Sequence, residues 1–265
     1  MMNRNALTRR ANLVEQWLST DTLDKFSLIT ESGPNLYKLG DIEYKFNSRG
    51  FRCDEFDAAS DLPVLFLGCS ITEGVGLRQH ETWSYLLLEK IREKTNKVIP
   101  YWNLGLAASG IDTQARLLHS LTTTLNGRIQ FVFGLFPPLG RREYKMYDSC
   151  IKNWSPNCSP THQPFEKHTN RVFSDKKFAE YQAERSLIII DAICRWKSAT
   201  LCCTSWDAQT VSDLTKLSAE FQSIDVFQPL VRIHSVDHAR DGVHPGPASH
   251  RALADQYWEH VEHYF

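Results

Sequence analysis

Short apolar runs alternate with helical segments along most of this chain, and few folds accept that pattern. The clearest run is Leu62–Leu67, LPVLFL, which stops at Gly68. A short, almost wholly apolar run closed by a turn residue suits a strand buried on both faces. Val98–Leu104, Ile129–Leu135 (closed by Pro137 and Pro138) and Ala199–Thr204 read the same way, and Val226–Ile233 reads as a short fifth strand. Between them the period is that of helices. Thr82–Lys94 spaces Trp83, Leu86, Leu87, Lys90 and Ile91 along one face. Thr113–Leu125 and Asp175–Trp196 follow, the latter with Phe178, Tyr181, Leu187 and Ile188 as expected core positions. A last helix is expected from about Pro247, because proline suits a first helical turn. Strands alternating with helices predict a mostly parallel sheet covered on both faces, a three-layer α/β sandwich.

The remaining segments are less regular. Leu13, Trp17 and Leu18 fall at helical spacing near the N-terminus. In Ile42–Phe56, Ile42, Tyr44 and Phe46 alternate with polar residues before Asn47, Ser48 and Gly50, which predicts a strand and turn, as in a hairpin. Residues 137–170 are rich in Pro, Asn and Ser and read as a loop excursion from the core. There is no internal repeat and no clean linker. The expected organisation is an N-terminal helical extension (1–40) on a single domain (41–265).

Composition narrows the functional classes. Lys plus Arg is 30 and Asp plus Glu is 31, a net charge of −1. Binding a nucleic-acid backbone calls for excess positive charge, so no nucleic-acid partner is expected. No run of about 18 apolar residues exists to cross a membrane. Met1–Leu28 is polar throughout and lacks the apolar segment of a signal peptide. Seven cysteines, an odd count that includes the neighbours Cys202 and Cys203, suit reduced thiols in a cytoplasmic protein.

Two segments carry chemistry. In Gly68-Cys69-Ser70-Ile71-Thr72-Glu73-Gly74, Ser70 sits in the turn after the clearest strand, at the sheet edge where open α/β folds bind ligands. Thr72 occupies the second glycine position of the G-x-S-x-G elbow, and no Gly-Lys-Ser/Thr follows as in a P-loop. Ser70 is therefore either a nucleophile or a helix cap. In Asp241-Gly242-Val243-His244-Pro245, a carboxylate three residues before a histidine can reach the imidazole across the turn. A serine hydroxyl needs such a base to take its proton, and the base needs a group that fixes its tautomer.

Taken together, the two segments resemble the SGNH (GDSL-type) hydrolase superfamily. Residues 68–74 match its first block, G-D-S-x-T-x-G, with Cys69 in place of Asp, and Asp241-Gly-Val-His244-Pro matches the terminal D-x-x-H block. Asn47-Ser-Arg-Gly-Phe-Arg52 is similar to a turn that precedes the nucleophile in some members. The resemblance spans 41–265. It implies a flavodoxin-like sheet carrying an esterase site without cofactor or metal. Ser70 would be the nucleophile, His244 the general base and then acid, and Asp241 the group that orients it. The implied oxyanion hole uses the Ser70 backbone N–H and a second N–H from Asn103-Leu-Gly105-Leu-Ala-Ala108-Ser-Gly110, where Ala108 stands at the usual glycine and Gly105 and Gly110 are alternatives. The expected substrate is a small-molecule or glycan ester, such as an O-acyl or O-acetyl group on a carbohydrate.

One block departs from the pattern. The family carries G-x-N-D after its third strand, with Asn donating to the oxyanion, whereas this chain reads Phe133-Gly-Leu-Phe136-Pro137-Pro138. Losing one such donor costs about 10²–10³ in rate. Arg141, Asn153 and Asn157 follow as candidate substitutes, and a catalytically weakened binding or structural module is the alternative reading. His234, Asp237, His238, Asp241 and His244 cluster within eleven positions but match no closed zinc spacing. Cys69, Cys202 and Cys203 are expected to pack as small apolar residues. In 137–170, Arg141, Arg142, Tyr144, Lys145, Tyr147, Trp154 and His162 are basic and aromatic residues of a kind that suits a carbohydrate platform.

Overall fold

The computed structural model describes residues 6–32, 36–57, 63–125, 127–145, 151–154, 174–228 and 236–265. The chain opens with α1 (Ala6–Arg10), β1 (Val14–Glu15) and α2 (Leu23–Ser32), and β2 (Tyr44–Lys45) pairs antiparallel with β1. The main body follows: β3 (Val64–Gly68), α3 (Ser70–Glu73), α4 (Trp83–Thr95), β4 (Tyr101–Asn103), α5 (Ile111–Thr122) and β5 (Phe131–Phe136). A two-stranded hairpin, β6 (Arg142–Lys145) and β7 (Ile151–Trp154), precedes α6 (Lys176–Lys197), β8 (Thr200–Ser205), α7 (Ala208–Ser218), β9 (Ile224–Val226) and α8 (Pro247–Val261).

The central sheet has the order β4-β3-β5-β8-β9 and every pair is parallel. The first crossover, β3 to β4, runs one way and all later ones run the other. Because such crossovers are right-handed, their helices lie on opposite faces. Accordingly α4 packs with α8, while α5 packs with α6 and α6 with α7. The reversal of direction opens a crevice beyond the carboxyl ends of β3 and β5, the place where ligands enter folds of this topology. Local sequence explains the helix starts: Thr82, Asp175 and Asp207 accept from Tyr85 N, Phe178 N and Thr210 N, and Pro247 opens α8. Between the layers, Phe66 stacks on Phe133 with centroids 5.6 Å apart and Trp83 on Tyr257 at 4.6 Å. Aromatic side chains of this size dominate core energetics.

Several expectations are corrected. Residues 13–18 are not helical. Positive φ at Asn12 (59°) and Ser19 (58°) breaks the chain on either side, and Val14 and Glu15 pair with Lys45 and Tyr44. The turn at Asn47–Phe51 forms, with Gly50 N donating to Asn47 O at 2.9 Å, yet the partner of β2 is β1 rather than the arm after the turn. Tyr181 and Ile188 are exposed (54% and 49%), because the buried stripe of α6 runs through Ala179, Ala183, Leu187, Ile190 and Cys194. The fifth strand is Ile224–Val226, two residues earlier than expected, and 229–235 lie outside the described residues. The 137–170 excursion contains the β6–β7 hairpin, and Tyr147, Asn157 and His162 lie outside the described residues.

The N-terminal segment shares its packing with the rest. Leu7 belongs to the main core, and Leu18 packs in a second core with Tyr37, Ile42, Tyr44, Phe46 and Val75. Beneath that core Asp21 and Arg240 form an ion pair at 2.6 Å with both side chains wholly buried, the guanidinium lying 4.4 Å from the Trp17 ring. The Tyr44 hydroxyl also donates to Asp21. Removing one member of such a pair strands a buried charge. Asp21→Ala is therefore expected to cost about 3–5 kcal/mol in urea unfolding. A loss below about 1 kcal/mol, the scale of an exposed pair, would contradict that account.

Candidate active site

Ser70 is aimed by the way β3 ends. Gly68 has φ +155°, and a Cβ there would lie 2.1 Å from Thr72 Oγ1 and 2.7 Å from Leu135 O, so no side chain fits. The strand turns at once into α3, whose first residue is Ser70. Three donors hold the Gly68 carbonyl: Leu106 N at 3.1 Å, Ser109 Oγ at 3.0 Å and Gln114 Nε2 at 2.7 Å. On the far side of α3, buried Arg52 donates to Gly74 O at 2.7 Å and Leu77 O at 2.8 Å and stacks 4.4 Å over Tyr44. The turn at 47–52 thus ends in a cation that satisfies carbonyls just past Ser70, where a helix end favours positive charge.

The loop before α8 brings up the other two groups. Asp237 fastens it by accepting from Ala248 N (2.8 Å), Ser249 N (2.9 Å) and Ser249 Oγ (2.8 Å) at the helix start. Gly242, with φ +66°, makes the turn that folds Asp241 back on the following backbone. Asp241 Oδ1 accepts from Val243 N at 3.1 Å and His244 N at 3.0 Å. His244 Nδ1 lies 2.7 Å from Asp241 Oδ2, and His244 Nε2 lies 2.8 Å from Ser70 Oγ. An ionised carboxylate only accepts, so Nδ1 carries the proton and Nε2 presents its lone pair to the serine hydroxyl. Burial alone would raise the Asp241 carboxyl, but hydrogen bonds and charge from His244, with a bond from Thr20, hold it well below the usual carboxylate range. A hydroxyl on an imidazole on a buried carboxylate is the arrangement that activates a serine for attack.

Backbone donors lie beside this chain of bonds. Among the described residues, no acceptor meets the N–H of Ser70, Ala108 or Gly110. The Gly105 N–H, by contrast, is engaged: it donates to Asn103 Oδ1 at 2.8 Å. The Ala107 N–H is likewise taken, by Glu73 Oε2 at 2.7 Å. Ala108 is exposed with φ +64°, a backbone state that glycine adopts more readily. Past β5, where the family pattern has asparagine, the chain runs on through Phe136, Pro137 and Pro138. The Phe136 carbonyl is taken by Ser205 Oγ at 2.8 Å, and Arg141 lies 5.6 Å from the Trp206 ring.

The other constellations do not converge here. Asp237 serves the α8 start, His238 is exposed, and His234 lies outside the described residues. A separate group, Cys202, Asp225 and His260, has donor atoms within 4.8 Å of one another, but Asp225 is already satisfied by His260 at 2.7 Å. Burial pushes the Cys202 and Cys203 thiols up, as for packed, unreactive cysteines. Cys69 is buried beneath the site.

No protein-family profile matches the chain, and neither does any curated protein. Solved structures do. TesA is 15% identical, covering 77% of this chain and 99% of its own with a TM-score of 0.52. The psychrotrophic esterase EstA from Pseudoalteromonas sp. is 14% identical, covering 77% and 98% with a TM-score of 0.51. An acetyl xylan esterase, Est2A, from Butyrivibrio proteoclasticus is 10% identical, covering 79% and 66% with a TM-score of 0.52. The chain has the SGNH hydrolase fold. Within this SGNH fold several residues at the crevice had no sequence signal of their own. Gln114 and Ser109 read as ordinary helix and turn residues. Glu73 stands at an unspecified position of the 68–74 block, yet its side chain is 2% exposed and accepts from Arg10 Nη1 at 2.6 Å. Thr20, whose hydroxyl donates to Asp241 Oδ2 at 2.6 Å, lies in a segment with no motif at all.

Proposed function

We propose that this protein is a serine ester hydrolase in which Ser70, His244 and Asp241 act as a triad. The unbroken hydrogen-bond chain from Ser70 Oγ through His244 to Asp241, at 2.8 and 2.7 Å, carries the reading. Ser70 Oγ attacks the ester carbonyl carbon while its proton passes to His244 Nε2. The charge that develops on the carbonyl oxygen is met by the N–H groups of Ser70 and Ala108, with Gly110 as the alternative second donor. Collapse breaks the bond to the alkoxy oxygen, which takes the proton from Nε2 and leaves as the alcohol. Water then gives a proton to Nε2 and attacks the acyl carbon, releasing the acid and restoring the Ser70 hydroxyl. Asp241 stays ionised throughout and stabilises the imidazolium.

The substrate class follows from chemistry and from likeness. Similarity of fold to an acetyl xylan esterase and to an esterase favours a short acyl group, such as acetyl, carried on a carbohydrate or small alcohol. A fluorophosphonate probe tests the nucleophile directly. It is expected to add covalently to the peptide containing Ser70, read by mass spectrometry, and acetylated sugars are expected to release acetate. A protein that neither labels nor cleaves any ester in the panel would be the weakened module instead.

The oxyanion assignment makes its own prediction. The Ala108 donor is backbone, so Ala108→Gly keeps it and also removes a left-handed cost of roughly 1 kcal/mol. The variant is expected to retain activity within about threefold, since a lost donor would cost about 10²–10³. A drop of that larger size would mean that the methyl group itself shapes the site.

A further inference from the structure

We propose that Thr20 is a positioning residue of the catalytic centre, through which the N-terminal segment becomes part of the site; this rests on the serine-hydrolase reading above. Thr20 Oγ1 donates to Asp241 Oδ2 at 2.6 Å and lies 3.4 Å from His244 Nδ1. Asp241 is 2% exposed and its two oxygens are met by four donors: two backbone N–H groups on Oδ1, and His244 Nδ1 and Thr20 Oγ1 on Oδ2. Taking Thr20 away leaves His244 as the one donor at Oδ2. The two backbone bonds still hold Oδ1, but Oδ2 loses the bond that fixes its angle to Nδ1, and the line from the imidazole to Ser70 loosens. Activity is sensitive to small misplacements of this kind.

The hydroxyl is itself held in place from both directions. Leu18 and Asp21 close the turn around it with two backbone bonds of 3.0 Å each. The next residue, Asp21, is locked to Arg240, the neighbour of Asp241, by the buried ion pair. A second arm of the same segment reaches the opposite side of the crevice. Arg10 Nη1 donates to Glu73 Oε1 at 2.6 Å, and Glu73 Oε2 accepts from Ala107 N at 2.7 Å, one residue before the proposed oxyanion donor. The segment therefore touches both the acid end and the oxyanion end of the site, although it precedes every strand of the central sheet.

The test uses the full chain with Thr20→Val and Thr20→Ser, assayed on 4-nitrophenyl acetate, with kcat and KM separated and Tm recorded. Valine keeps the shape and loses the hydroxyl, whereas serine keeps the hydroxyl. A hydrogen bond to a charged group sets the scale, so Thr20→Val is expected to lower kcat about ten- to a hundredfold with KM changed less than about twofold. Thr20→Ser is expected to return kcat to within about threefold of the parent, because the donor is restored. Equal kcat in Thr20→Val and the parent would overturn the proposal, as would a Thr20→Ser protein as slow as Thr20→Val, which would mean that packing alone matters. Ser70→Ala, run in parallel, separates the two claims. A rate it leaves unchanged sinks the hydrolase reading and this proposal with it, whereas a Ser70-dependent rate indifferent to Thr20→Val sinks this proposal alone.

Discussion

Replacing Ser70 with alanine is expected to lower kcat for a short-chain ester by about 10⁶-fold, the scale seen when a triad nucleophile is removed. Only a background rate from binding and the backbone donors should remain. Folding should hardly change. Ser70 Oγ bonds His244 Nε2 and otherwise sits 4.0 Å from the Cys69 sulfur, so its loss removes one hydrogen bond, worth about 1 kcal/mol. The measurement is single-turnover hydrolysis beside a thermal melt. A variant that keeps a tenth of the parent's activity would show that another group attacks the ester.

Asp241→Asn is expected to cost about 10⁴ in kcat while binding is spared, because the substitution reverses the hydrogen-bond logic of the imidazole. An amide NH₂ facing Nδ1 requires Nδ1 to accept, so the proton moves to Nε2. There it points at Ser70 Oγ, which then has no base. The stability consequence has a defined pH window. The Asp241 carboxyl is depressed in the folded protein, so its stabilisation is complete above its unfolded value of about 4 and is lost as the pH falls through the lower folded value. The stability gap between parent and Asp241→Asn should therefore be flat from pH 8 to about pH 5 and shrink only under more acid conditions. A gap that instead grows on acidification would mean that burial outweighs the His244 and Thr20 bonds and raises the carboxyl.

What could be read beforehand depended on whether the physics was local. The parallel sheet was legible because a strand buried on both faces must be almost wholly apolar, as Val64–Gly68 and Phe131–Phe136 are. The proposed triad residues stood out in the sequence because Gly68 and Gly74 bracket Ser70, and Gly242 and Pro245 adjoin Asp241 and His244. The phase of α6 was not, since Tyr181 and Ile188 are as apolar as the residues it does bury, and only the packing partner selects the stripe. The partner of β2 was not either. Val14 and Glu15 carry no strand signal, and their pairing is set by the turns at Asn12 and Ser19 and by Trp17 lying against Arg240. Thr20, Arg10 and Glu73 were invisible for a related reason. Each matters through contacts to distant parts of the chain, which leave no periodicity and no spacing to read.

Thr20 and Asp241 stand 221 residues apart, and Asp21 and Arg240 219. Contacts of such long range are the slow ones to form, because the closure entropy of the whole intervening loop must be met before they repay it. The aim of His244 therefore depends on the two distant parts of the chain having met. An intermediate with the central sheet assembled and the N-terminal segment still undocked would hold a serine and a histidine with a less firmly held carboxylate behind the imidazole. Under the proposed function, catalytic competence would then be a late reporter of folding, arriving after the scaffold rather than with it.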